Sequence, residues 1–106
     1  MKIIKNSIIP FKGFAAINLF GVLFVRKDVN VSERLINHEK IHSAQMKELF
    51  YVPFYVLYLI EWLIKLCFYG SKAYYNISFE REAIWGEGNS QYLEQRKIYA
   101  WVRLIV

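Results

Sequence analysis

Histidine and cysteine are scarce in this chain. The single cysteine, Cys67, excludes an intrachain disulfide and any cysteine-built zinc site. It lies in an apolar run, where a lone thiol reads as a small buried hydrophobe, and a reducing, cytoplasmic setting is the expectation. Long basic runs are missing as well. Fourteen Lys and Arg against nine Asp and Glu give a net charge of +5. No basic run exceeds two residues, as at Arg26-Lys27 and Arg96-Lys97, and no nucleic-acid motif accompanies them. The charge reads as solubility with some attraction to an anionic membrane surface, and nucleic acid is not an expected partner. Internal repeats and low-complexity segments are absent. The basic start, Met1 to Lys5, runs into apolar residues, but Pro10, Lys12 and Asn18 interrupt them and no small-residue cleavage site follows. A signal peptide is therefore not expected. A chain of 106 residues is expected to form one domain, residues 1–106, around a single core.

What is abundant is apolar and aromatic surface, at 56% and 18% of residues. Such a chain packs an aromatic core or keeps a greasy face for a membrane or a partner. Residues 3–9 are short, β-branched and apolar, and predict a strand or extended arm. Pro10 to Gly13 is a turn signal, and residues 14–25, broken by Gly21, predict two short strands or a bent one. Ser32 is a candidate N-cap with Glu33 in the first turn of a helix reaching about Phe50. Pro53 starts a second helix, nearly all apolar to Tyr69 apart from Glu61 and Lys65. Those two are four apart and read as a solvated or snorkelling ion pair. The greasy span from Leu49 approaches the ~20 residues that cross a bilayer. The proline and two charges favour a buried or partner-covered helix first, a membrane-surface helix second and a crossing last, and its aromatic residues are expected in the core. After Gly70-Ser71, residues 79–85 predict a third helix. A fourth is expected over about 91–104, with Leu93, Ile98, Trp101 and Leu104 in the core. The fold class expected is α+β, mainly helical.

The chemistry concentrates at His38-Glu39-Lys40-Ile41-His42, a match to H-E-x-x-H that uses both histidines of the chain. Residues four apart on a helix sit one above the other, so two imidazoles can share one ion. Leu35, His38, His42, Met46 and Leu49 share one side of the wheel, which turns both histidines inward. Glu39, on the adjoining face, is placed to take a proton from a water. Gln45, one turn on from His42, reads as a helix-surface amide.

A catalytic zinc takes three protein ligands, and with no third histidine the third must be a carboxylate. Glu80 and Glu82 lead, with Asp28, Glu48, Glu61 and Glu87 behind them. On the wheel of the third helix Glu80 falls in the inward arc with Phe79, Ala83 and Ile84. Glu82 falls outside it and stays as the alternative ligand. An inward carboxylate is expensive unless paired or metal-bound, which favours Glu80.

Taken together, His38, Glu39, His42 and Glu80-Arg81-Glu82-Ala83 resemble the gluzincin zinc metallopeptidases, in which H-E-x-x-H is joined by the glutamate of a later E-x-x-A. Gln45 matches the H-E-x-x-H-x-x-Q variants, and the likeness extends over residues 14–85. It implies a minimal zincin-like core of N-terminal hairpin or strands, active-site helix, apolar second helix and glutamate-bearing helix, with a C-terminal helix after it. It implies Zn2+ on His38, His42 and Glu80, Glu39 as general base, and a peptide or protein substrate. Tyr74, Tyr75, Tyr92, Tyr99 and Arg96 are candidates to stabilise an oxyanion. The family's acidic residue after E-x-x-A is replaced by Ile84, so another group must orient the histidines. A non-catalytic zinc-binding module and a membrane-associated interaction module are the competing expectations. So small a chain also invites a second copy or a partner protein to complete the cleft.

Overall fold

The computed structural model describes residues 2–8 and 16–105. It is α+β and mainly helical, in the order β1 (Lys2–Asn6), β2 (Ala16–Leu19), β3 (Val22–Arg26), α1 (Glu33–Glu48) and α2 (Val52–Tyr69). A 3-10 turn (Gly70–Lys72), α3 (Ala73–Asn76), α4 (Ser78–Gly86), α5 (Tyr92–Gln95) and a second 3-10 turn (Ala100–Leu104) follow. The expected turn at Pro10 to Gly13 lies outside the described residues.

The sheet has the order β1-β3-β2, with β1 parallel and β2 antiparallel to the central β3. Pairing of Leu19 with Val22 leaves a two-residue turn. Both turn residues have positive φ, Phe20 at 52° and Gly21 at 89°, the backbone that the twist of a tight hairpin favours. Gly21 supplies it without a side-chain clash, and its N–H donates to Asn18 Oδ1. Leu23 and Val25 of β3 are buried, the period-2 pattern of a strand with one covered face.

Helix α1 starts as the sequence predicts: Ser32 Oγ accepts from the Leu35 N–H. Its inward residues Met46 and Ile41 enter two apolar clusters. Met46 packs with Phe54, Ile77, Phe79 and Trp101, and Ile41 with Ala83 and Tyr92. Gly86 is required where Tyr92 crosses α4, because a Cβ there would lie 2.5 Å from the Tyr92 ring.

Of the expectation of a buried or partner-covered helix, α2 overturns the first part, because its own chain leaves it largely uncovered. Phe54 and Lys65 are buried and Tyr55, Tyr58 and Glu61 half-buried, while thirteen of its eighteen residues are exposed. Among the described residues it lies in the one helical stretch long and apolar enough to cross a membrane, and only 11% of that stretch's most apolar window is buried. Of the aromatics expected in the core, Phe50, Trp62, Phe68 and Tyr69 are exposed. Cys67 is exposed too, not a buried thiol.

Glu61 and Lys65 are inward connectors rather than a solvated pair. Glu61 accepts from both the N–H (2.7 Å) and the Oγ (2.6 Å) of Ser78, and so satisfies an orphan donor at the start of α4. Lys65 donates to the carbonyls of Asn76 (2.8 Å) and Ile105 (2.6 Å).

The fourth helix expected over 91–104 is a single turn, an extended break and a 3-10 turn. Arg96 is drawn out of helical geometry by Glu48 and Glu82, and Tyr99 has φ of 57° with its N–H on Glu48 Oε2. Trp101 is buried as expected and Leu93 and Leu104 half-buried, whereas Ile98 is 72% exposed. Side-chain hydrogen bonds outweigh helix propensity here.

Candidate metal centre

Three elements build the site. Helix α1 places His38 and His42 one turn apart, their rings edge to face with centroids 4.8 Å apart. Helix α4 brings Glu80 against both. His38 Nε2 and His42 Nε2 are each 3.0 Å from Glu80 Oε1 and 3.1 Å from each other. Helix α2 supplies the floor, where Phe54 lies 6.1 Å from the His42 ring and Tyr58 donates to Glu80 Oε2 at 2.6 Å. These three ligand atoms are the one metal-capable grouping of His, Cys, Asp and Glu among the described residues.

The donor set fits a first-row divalent ion. Three atoms about 3 Å apart can share an ion at bond lengths of ~2.0–2.2 Å, and two imidazoles with one carboxylate suit zinc. The tautomer of His42 is set from behind. Gln45 Nε2 donates to the Phe79 carbonyl (3.0 Å) and to Glu82 Oε1 (2.9 Å), so its Oε1 is the atom 2.8 Å from His42 Nδ1. That places the proton on Nδ1 and leaves the Nε2 lone pair aimed at the cluster.

Charge is concentrated here. Burial works against a charged His42, but the neighbouring Glu80 carboxylate, through its charge and hydrogen bond, outweighs it and raises the ring's pKa to about 9. Burial would raise Glu80; the charge of His42 and hydrogen bonds from His38, His42 and Tyr58 hold it well below the usual carboxylate range. A cation in this cradle takes the place of that shared proton. Glu39 is buried beside the cluster, and burial is the main cause of its raised pKa, opposed by the charges of His42 and His38. Burial and the nearby Glu80 push the Tyr58 and Tyr74 hydroxyls up, which keeps both as donors.

The structure brings His38, His42 and Glu80 together with Glu39 alongside, and it leaves Glu82 out. Glu82 is nonetheless not outward-facing: it is fully buried. Its oxygens accept from Gln45, Tyr92 Oη (2.8 Å) and Arg96. Arg96 also grips Glu48 with two bonds, of 2.8 and 3.0 Å. Burial opposes its charge, but hydrogen bonds to Glu48 and Glu82 raise its pKa. Tyr92 and Arg96 are therefore spent on this network, and Tyr99 sits at Glu48.

Gln45 is fully buried, not a surface amide, and it orients His42 through Nδ1. Glu87 Oε1 lies 3.7 Å from His38 Nδ1 on the other side. Asn18 of β2 ties the hairpin to α1 by donating to the Glu39 carbonyl and to Ser43 Oγ, both at 3.0 Å. Sequence reasoning missed Tyr58. The signal was there: Tyr58 shares one stripe with Phe54 and with Glu61 and Lys65, the two charged residues of an otherwise apolar helix.

Comparison with known families, curated proteins and solved structures finds no match to this chain. The geometry therefore carries the functional argument.

Proposed function

We propose that this chain is a zinc-dependent peptide hydrolase of gluzincin type, with His38, His42 and Glu80 as ligands and Glu39 as general base. The observation that carries the reading is the triangle of His38 Nε2, His42 Nε2 and Glu80 Oε1, with sides of 3.0–3.1 Å. It draws on two helices 38 residues apart in sequence at their nearest ligands.

Zinc held by His38, His42 and Glu80 would supply Lewis acidity toward a water and a substrate carbonyl. Glu39, buried beside the ligands, is the carboxylate that would accept the water's proton and pass it to the leaving amine. Its raised pKa brings it nearer the range a base needs at neutral pH. Tyr58 and Gln45 hold Glu80 and His42 in place from behind. An open groove of about 540 Å³ is lined by Arg34, Asn37, Lys40 and Glu87 and by none of the three ligands or Glu39; it meets the cluster only through Glu87, 3.7 Å from His38 Nδ1.

The test pairs metal content with hydrolysis of a fluorogenic peptide library. Wild type is expected to carry about one zinc per chain, and Glu80→Gln to lose it. Glu39→Gln is expected to keep zinc while the rate falls by about 10²–10⁴-fold. A chain that takes up no zinc overturns the reading.

The enclosure of the cluster favours a second reading, a zinc site that only holds the fold. His42 and Glu80 are buried and Tyr58 covers the outer oxygen of Glu80. Zinc retained in Glu39→Gln with no hydrolysis by either protein, and unfolding on chelation, would select it.

A further inference from the structure

The chain places its polar residues on the wrong side of α2 for a helix that meets water. Its only two charged residues, Glu61 and Lys65, face the domain and are satisfied there. The outward side carries Val56, Leu59, Ile60, Leu63 and Ile64, all exposed, with no charge among them. At 100° per residue this apolar arc, from Leu66 round to Phe68, covers about 200° of the helix. One packed helix covers a stripe of roughly 100°, so a single protein neighbour leaves half the arc wet. A lipid phase covers all of it.

Charge points the same way. Among the described residues nine Lys and Arg are exposed against three acids, Asp28, Glu33 and Glu94. Lys47 and Lys72, both exposed, flank α2 at its two ends, where ammonium groups can reach lipid headgroups while their stems stay with apolar neighbours. Exposed Tyr69 and Trp62 supply the amphipathic rings that membrane interfaces favour.

We propose that α2 lies in the plane of an anionic lipid bilayer as an interfacial anchor, its outward arc in the acyl region and the metal centre on the water side. The domain packs along the other side of α2, and α1 there exposes Glu33, Arg34, Lys40 and Lys47. Those charges keep the domain out of hydrocarbon, so α2 lies on the bilayer rather than across it. The inference is independent of the metal reading, and Glu39→Gln is expected to leave it unchanged.

Cys67, the only cysteine, sits at the centre of the arc and is exposed. The full chain, labelled there with an environment-sensitive fluorophore, is mixed with vesicles of phosphatidylcholine alone or containing phosphatidylglycerol. The expected result is a blue-shifted emission quenched by lipids carrying a nitroxide high on the acyl chain. Binding should be stronger with phosphatidylglycerol and weakened by salt. Leu59→Glu/Leu63→Glu changes only exposed positions and should cut the vesicle-bound fraction at least tenfold, with helix content retained by circular dichroism. A label that stays water-like with both vesicles overturns the proposal. So does a blue shift that grows with protein concentration without lipid and ignores vesicles, because a second copy would then cover the arc.

Discussion

Helices α1 and α2 are built on opposite plans. Helix α1 exposes Glu33, Arg34, Lys40 and Lys47 and buries Ile41 and Met46, as a water-facing helix does. The polar groups it also buries, Glu39, His42 and Gln45, are those of the candidate site. Helix α2 turns the hydroxyls of Tyr55 and Tyr58 and both its charges inward and its aliphatic residues outward. The difference teaches that buried polarity has two uses in one small domain. In α1 it assembles donor atoms; in α2 it fastens neighbouring elements, with Tyr55 on the hairpin, Tyr58 on Glu80, Glu61 on α4 and Lys65 on the chain end. Position along the stripe 54-58-61-65, not hydrophobicity, is what α2 uses to hold the candidate site and the elements around it.

The comparison breaks most severely at Arg96. Its guanidinium is the one cation between Glu48 of α1 and Glu82 of α4. Arg96→Met leaves two buried carboxylates facing each other, and a loss of about 3–5 kcal/mol is expected in urea unfolding. Arg96→Met/Glu82→Gln should recover part of that loss, since one charge is then removed. Metal affinity is expected to fall in the single variant, because Glu82 holds the amide of Gln45 and Gln45 sets the tautomer of His42. A single variant as stable as wild type would show that the network is not a fastening for α1 and α4.

A smaller effect is expected on the α2 side. Lys65→Met keeps the apolar stem and deletes the ammonium that satisfies the Asn76 and Ile105 carbonyls. Two partly buried acceptors left without that donor are expected to cost about 1–3 kcal/mol. Vesicle binding should persist, because the outward arc is untouched. If Lys65→Met instead stabilises the chain, the inward charge is no connector and the contrast with α1 fails.

How much of this was legible follows the same division. The strands and the inward turn of His38 and His42 follow from periods of 2 and 3.6 residues, and the Ser32 cap from its hydroxyl ahead of Glu33. The inward arc drawn on α4 holds for Phe79, Glu80 and Ala83 but fails at Ile84, which is 39% exposed, and at Glu82, which is fully buried. Burial of Glu82 was not legible, because its partner Arg96 lies 14 residues on and a helical wheel sees only one helix. The same pairing draws residues 96–99 out of the expected fourth helix. Gln45 looked like surface until a partner for His42 Nδ1 was in place. The aromatics of α2 are expected in the core because apolar residues usually lie there, whereas the two inward charges are the stronger clue to which side faces the rest of the chain.

The smallest expected effect lies at the junction of the two plans. Helix α1 ends at Glu48 and the chain turns into α2 through Phe50 and Tyr51, at φ of 58° and 68°. Tyr51, with ψ of −73°, is the centre of a γ-turn closed by the Val52 N–H on the Phe50 carbonyl at 2.9 Å, and an L-residue held at such a positive φ costs about 1–3 kcal/mol. The turn persists because the Tyr51 N–H reaches the Met46 carbonyl at 2.8 Å and the Tyr51 ring packs on the core with Phe20 6.2 Å away. Phe50 has no such return, being 84% exposed. Phe50→Gly relieves the strain and gives back part of it as unfolded-chain entropy, for an expected net gain of about 0.5–1 kcal/mol in urea unfolding. Tyr51→Gly should lose stability, since it gives up packing as well as strain. If the two variants instead shift stability equally, backbone strain alone governs the junction, and packing on α2's inward face does not reach back to Tyr51, its N-cap.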